Sequence, residues 1–567
     1  MNQKNTESER LPAGLDAHGP KLRPWLYVVA ACVLLFFFGF CDKSNLRPVS
    51  YVYAGAVSLT LLAELAFRDS LFKSAGQSWL FFSYAAACAL TSLVLVCANG
   101  HSTTLLFWLF ALMLVLLGAL LHAAGQLDSR RAVMLLVAGG VMLRYVYALN
   151  TGSDTRQHDV GLWNGNQGHA AYILYWYKNG LKLPDFDVRT LWQFYQPPLH
   201  HWLMALALKL FTGLGMAFET ACQALQLLPF IWACLTMIVC YRLFRRIGLD
   251  GRPLLASMAI VCFHPSLVLA AGAFNNDTLC SLLTILTALL ALRWYGEPSP
   301  GRILALGLAL GLGMMTKLSA WLVSPAVALL FLRVLIRNRR EWKALFRQYV
   351  CFGLVCAPLG LWWEIRNNLA FGVPLSYIPR LPETSSQFIA GVSAAKRLFD
   401  FGGGQLAYVY DAFTSHGAPY NEYNPTVGLF KTALFDEGVY TAPPFLLTVG
   451  TVLFWTGTAL GLLCFAAFVF MLLRRDSGLE VMTRVFFAVF ALALLLSYYL
   501  FCFAYPYVCT MNARYCVPLI PLAAMGLGLL LRRYAGGGAG ERLLGYATGG
   551  LTILFAFVSC LMYSMIA

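Results

Sequence analysis

The sequence predicts an all-α, polytopic membrane protein, and three observations carry that prediction. The chain of 567 residues is 59% hydrophobic and 14% aromatic, with a mean hydropathy of +0.67, well above the roughly 45–50% apolar content of soluble domains. Apolar runs long enough to cross a bilayer, roughly 17–25 residues each, recur near 25–41, 51–66, 78–97, 104–122, 131–149, 220–242, 254–273, 278–295, 302–316, 318–336, 347–363, 446–473, 484–504, 515–531 and 543–566. Basic clusters fall in short loops separated by pairs of these runs, the alternation expected when positive loops stay on the cytoplasmic side.

Taken in order, residues 1–24 are polar and lack the apolar core and small-residue cleavage site of a signal peptide, so they are expected to form a cytoplasmic tail. Four helices across 25–130 contain few polar residues and are expected to be an added scaffold. A core at 131–363 follows, interrupted by a polar loop at 150–218. With the N-terminus inside, that loop comes out on the outer face. The apolar stretch at 197–213 is expected to lie along the surface, because counting it as a span would put Arg242, Arg245 and Arg246 outside. A second outer loop is expected at 364–445, and the C-terminal helices at 446–567. Gly402, Gly403 and Gly404 look like a hinge, since no strand precedes them.

The formal net charge of +15 is therefore mostly topological and carries no implication of nucleic acid. Most of the sixteen cysteines lie in apolar runs and act as small hydrophobes; Cys509 and Cys516 are the one pair that stands out.

The candidate chemistry is concentrated in the loop at 150–218, which holds four of the nine histidines (His158, His169, His200, His201) and Asp154, Asp159, Asp185 and Asp187. Asp154 and Asp159 follow the outer end of a helix, where a carboxylate suits proton removal from a hydroxyl acceptor; the plainer reading is a helix cap beside a solvated His158. His169, Tyr172 and Trp176 sit at i, i+3 and i+7 and share a helix face, suited to a sugar or a headgroup, or to an aromatic belt. Tyr195 precedes two prolines that start a helix. His200 and His201 are adjacent and point about 100° apart. Asp154 and His158 have the i, i+4 spacing that admits a metal. Asp277, Lys317, Arg366 and Arg514 sit at predicted outer helix ends. Cations converging there suit a phosphate leaving group, while each alone also fits snorkelling to headgroups.

The ordered segments "NGLKLPDFD", "WQFYQPPLHHWLMALALKLFTG", "NNDTL", "MTKLSA", "WWEIRNNLAFGVPLSY" and "NARYCVPLIP" resemble the C-type (GT-C) membrane glycosyltransferases, closest to the protein O-mannosyltransferase and aminoarabinose transferase branch. The resemblance covers about 131–535. It implies a GT-C-like core of about 11 helices preceded by about 4 extra ones, with interfacial helices on the outer face. The implied activity is inverting transfer of a sugar from a polyprenyl-phosphate donor to a lipid, protein or glycan hydroxyl outside the membrane. Asp159, then Asp154, match the loop base. Lys317, Arg514 and Arg366 match positions suited to the lipid phosphate. His158, His169, Tyr172, Tyr195, His200, His201, Asp277 and Tyr515 are expected to line the substrate site. In this branch no metal or other cofactor is usually required. The implied location is a bacterial plasma membrane or a eukaryotic endoplasmic reticulum membrane.

A transporter or lipid-linked sugar flippase is the alternative. Such proteins place polar groups near mid-membrane, in broken helices related by a repeat. Convergence of Asp159, Lys317 and Arg514 on one outer cavity, as opposed to a path through the bilayer, distinguishes the two.

Overall fold

A computed structural model describes residues 103–566 apart from 153–158, 407–408, 410–421, 438–442 and 535–537. The expected runs at 25–97 lie outside the described residues, as do Asp154 and His158.

The described chain is helical. It opens with α1 (Thr103–Ala123) and α2 (Ser129–Asn150), the latter started by Asp128, whose carboxylate accepts from the Arg131 backbone N–H at 2.7 Å. The polar loop carries α3 (Gly168–Asn179), α4 (Leu199–Gly213) and the short α5 (Phe218–Ala224). Then come α6 (Leu227–Arg246), α7 (Gly251–Phe263), α8 (Pro265–Leu269), α9 (Asp277–Gly296), α10 (Pro300–Thr316), α11 (Ser324–Arg337) and α12 (Trp342–Phe371). The last part holds α13 (Ala394–Phe399), α14 (Pro425–Phe435), α15 (Pro444–Leu473), α16 (Val481–Ala504), α17 (Leu519–Arg533) and α18 (Ala539–Met565). Among the described residues nine helical segments are long and apolar enough to cross a membrane, or ten if the bent pair Val508–Cys516 and Leu519–Arg533 is one span. The all-α, polytopic fold class is borne out.

Two expected spans are shorter than the hydropathy suggests. The run at 254–273 breaks at Pro265, which cannot continue a helix; the His264 imidazole caps the new turn by accepting from the Ser266 N–H at 3.3 Å. The run at 515–531 bends by 53° after the 3-10 turn Ala513–Cys516. Both breaks lie next to the polar centre. In the other direction, α12 continues through Arg366 to Phe371 and stops at Gly372, whose φ of 63° only glycine adopts freely. Arg366 is therefore helical and does not belong to the following loop. α4 has 15 residues and is not among the helices long enough to span.

The core is a layer of helices in which α9 packs between α6 and α10, α10 lies along α12, and α17 is held between α7 and α15. A buried arginine stands inside it. Arg144 on α2 is fully buried and donates to the carbonyls of Gly140 at 2.9 Å, Cys262 at 2.6 Å and Val261 at 3.2 Å. The last two belong to the C-terminal turn of α7, where carbonyls lack helical partners and the helix dipole is negative. Arg144 thereby fixes the break that leads to α8 and α9.

The α15–α17 contact depends on a missing side chain, since a Cβ on Gly526 would stand 2.3 Å from Phe468 Cα and 2.4 Å from its N. Gly526→Val is expected to lower the melting temperature in detergent by several degrees, corresponding to about 1–3 kcal/mol of overpacking; an unchanged melting curve would contradict this packing.

Candidate active site

Asp159 is placed by backbone before its side chain makes any contact. It stands at φ 55°, in the left-handed region that aspartate enters more readily than most residues. Its carbonyl accepts from the His169 N–H and the next carbonyl, of Val160, from the Ala170 N–H, each at 2.8 Å. Two otherwise unpaired donors of the first turn of α3 are thereby satisfied. Gly168 makes that approach feasible: its φ is +85°, and a Cβ there would fall 2.6 Å from the Asp159 oxygen and 2.5 Å from that of Val160.

On the other side, the 3-10 turn Ala513–Cys516 is started by Asn512. Its amide oxygen accepts from the Arg514 N–H at 2.8 Å, and its amide nitrogen donates to Asp436 at 2.9 Å and Glu437 at 2.7 Å. The turn aims Arg514 at Asp159, and Nη2 lies 3.3 Å from the carboxylate and 3.1 Å from the Tyr515 hydroxyl. Arg514 Nε is buried with no partner among the described residues.

A second ion pair closes on the same ring. Lys317 follows the last residue of α10, and its ammonium bonds the carboxylate of Asp277, the first residue of α9, where the helix dipole favours an anion. These side chains keep 15% and 13% of their exposure, so each charge is held mainly by the other. The Lys317 ammonium lies 5.2 Å from the centre of the Tyr515 ring and the Arg514 guanidinium 5.1 Å. Both are within cation–π range. Asp277 and Arg514, one partner of each pair, line a small, mainly apolar cavity with Asn275, Thr278, Asp436 and Asn512.

Five of the residues singled out from sequence, Asp159, Asp277, Lys317, Arg514 and Tyr515, therefore meet in one place. Tyr195 joins them: the charges acting on its hydroxyl are those of Asp159, Arg514 and Asp277, and burial with Asp159 holds its pKa above the ordinary phenol value. Arg366 stands elsewhere. It donates to Asn367 Oδ1 at 2.7 Å and to the Pro184 carbonyl, over the rings of Trp363 and Phe371 at 5.5 and 4.8 Å.

The histidine face of α3 is turned inward. His169 Nδ1 lies 2.8 Å from His201 Nε2 with the rings stacked, Tyr172 packs 4.2 Å from His201, and Trp176 meets Trp202 edge-on at 5.3 Å. His200 Nε2–H donates to the Phe274 carbonyl at 2.7 Å, so in the neutral ring that burial favours the other nitrogen is unprotonated. Among the described residues no group of three or more His, Cys, Asp or Glu is arranged to hold a metal ion.

Sequence reasoning passed over Asn276, Gln196 and Asn512, the amides between the charges. The doublet before Asp277 and an asparagine two residues before Arg514 were the available signals, since asparagine there bonds nearby backbone.

Residues 195–363 match the dolichyl-phosphate-mannose-protein mannosyltransferase family. The kinship with membrane glycosyltransferases expected from the motifs is borne out over that stretch, which carries Tyr195, Asp277 and Lys317. No curated protein matches the chain. Among solved structures it is similar to the archaeal oligosaccharyltransferase AglB of Archaeoglobus fulgidus, in complex with an inhibitory peptide and a dolichol-phosphate, at 13% identity and a TM-score of 0.45, covering 76% of this chain and 56% of that one. It is also similar to ArnT of Cupriavidus metallidurans bound to undecaprenyl phosphate, at 16% identity and a TM-score of 0.41, covering 76% of each chain.

The buried histidines generate an acid-stability prediction. Burial, then the neighbouring imidazole of His200, lowers His169 to about 3; burial lowers His200 to about 4 and His201 well below its ordinary value. The folded values lie below the unfolded value of about 6.5, so the unfolded chain binds more protons between the two, and stability is full above pH 6.5 and falls as pH drops below it. Melting temperature in detergent should decline from pH 7 to pH 4.5, at up to about 1.4 kcal/mol per pH unit per histidine, with a shallower decline in His169→Gln. A flat profile for both would contradict the buried neutral cluster.

Proposed function

We propose that the chain transfers a sugar from a polyprenyl-phosphate donor to a hydroxyl acceptor on the outer face of the membrane, with inversion at the anomeric carbon and Asp159 as the base. The observation that carries this reading is the convergence of the Arg514–Asp159 and Lys317–Asp277 pairs beside Tyr515. A carboxylate able to take a proton stands beside two cations able to hold a phosphate. They gather at helix ends and turns as two ion pairs beside Tyr515, which favours an enzyme over a polar path through the bilayer.

The chemistry follows from charge. The acceptor oxygen attacks the anomeric carbon while the bond from that carbon to the phosphate oxygen breaks, and the electron pair goes to the phosphate. The acceptor proton passes to Asp159. Negative charge grows on the phosphate, and preorganised cations in a dry site stabilise it more than water does. Arg514 has an unpartnered Nε to offer, and a phosphate drawing on Arg514 and Lys317 weakens their hold on Asp159 and Asp277. Asp159 is thus held by Arg514 in the resting protein and becomes available as a base when the donor arrives. The cations present supply the charge stabilisation, so this reading assigns no role to a metal. The outer-face location rests on the alternation of basic loops, and sugar and acceptor are left open by these residues.

Transfer from a panel of radiolabelled polyprenyl-phosphate sugars to membrane acceptors tests the reading. Asp159→Asn should lower turnover by about 10²- to 10⁴-fold while donor binding persists, and Arg514→Met and Lys317→Met should weaken donor binding. Undiminished transfer by Asp159→Asn would remove it as the base.

A further inference from the structure

Between the two ion pairs runs a chain of amides whose hydrogen-bond direction is fixed at one end. The Thr316 carbonyl, adjacent to Lys317, can only accept, so the group facing it at 2.9 Å is the Asn276 amide nitrogen. The same nitrogen then faces the Gln196 side chain at 3.4 Å, which must present its oxygen. Gln196 is left with its own nitrogen toward the Tyr195 hydroxyl, 3.0 Å away, and donates to it. Amide orientations are set by such networks and not by the electron-rich atoms themselves, and here every link follows from a backbone carbonyl.

The consequence lies at the far end. Tyr195 is an acceptor from Gln196, and its own O–H finds no acceptor among the described residues. That hydrogen is left for the neighbourhood of Asp159, Arg514 and Asp277, the charges that act on the hydroxyl. Trp363 holds the residue from behind, its indole N–H donating to the Tyr195 carbonyl at 3.0 Å, and Asn276 is buried to 1% exposure.

We propose that Tyr195 donates its phenolic hydrogen bond to an oxygen of the donor phosphate, and that Gln196 and Asn276 are positioning residues that hold it in the donating orientation. The inference rests on the proposed function and adds a third, neutral donor to the two cations. The same asparagine sits beside Asp277 and bonds the carbonyl beside Lys317, so it also sets the register of that ion pair. The phenol stays protonated through the physiological range, because burial and the Asp159 carboxylate both oppose its ionisation.

The test is a double-mutant cycle in full-length protein, with transfer kinetics, donor affinity and melting temperature read for each variant. Tyr195→Phe removes the hydrogen. Gln196→Glu keeps the shape and reverses the direction, because a carboxylate accepts the phenolic hydrogen and turns it from the donor site. Each should lower kcat by about 10²- to 10³-fold, with melting temperatures near the wild type and a milder loss in Gln196→Met. The double variant Tyr195→Phe/Gln196→Glu should be no slower than Tyr195→Phe alone, within about twofold, since the reversal acts only through the lost hydrogen. Multiplying losses would mean that the new carboxylate repels the donor directly, and would overturn the relay, as would full activity in Tyr195→Phe. A wild type inert with every donor while binding none would instead overturn the glycosyltransferase reading, and this inference with it.

Discussion

The structure is arranged around the pairing of two cations with two carboxylates beside Tyr515. Charges taken from water are costly, and a buried pair seldom recovers that cost against an apolar alternative. Removing one partner is worse, because the other is left uncompensated. The Lys317–Asp277 pair keeps about one-seventh of its exposure, so four separate pieces of chain must arrive in register for the charges to be tolerated. Ionisable groups in that setting within a membrane protein are retained for function more readily than for stability.

Each piece is delivered by a break in regular structure. Asp277 begins α9 after the interruption at Pro265, Lys317 follows the end of α10, Arg514 rides on a 3-10 turn before a bent helix, and Asp159 stands at positive φ against the start of α3. Helix ends and sparsely populated backbone conformations are where polar groups can be aimed, and they persist only when the surroundings fix them. Here the surroundings include Arg144 on the open turn of α7 and Gly168 under Asp159. The amides of Asn276, Gln196 and Asn512 then bridge the pieces, so that stiffness in the scaffold becomes direction at the site.

Much of this was legible in the sequence. Hydrophobic runs locate α2, α9, α15, α16 and α18 to within a few residues, because a bilayer sets the length of a span and apolar composition marks it. Lys317, Arg514 and Asp277 stood out as charges at the ends of such runs. Hydropathy was silent where a run is apolar throughout yet bends, as at Pro265 and after Cys516, and where a helix continues through polar residues, as α12 does through Arg366. Long-range pairing was also hidden: Asp159 and Arg514 are 355 positions apart, and nothing local to either names the other. The inward turn of His169, Tyr172 and Trp176 was equally out of reach, since a face of mixed rings fits a buried cluster as well as an interface.

The central claim is that a lipid-linked phosphate takes the two cations from their carboxylates. The most direct measurement is a cryo-electron microscopy structure of the protein with a bound polyprenyl phosphate. The account predicts the phosphate within hydrogen-bond reach of Arg514 and Lys317, with Asp159 released toward the acceptor side. A phosphate bound elsewhere, for instance at Arg366, with both ion pairs intact would contradict it.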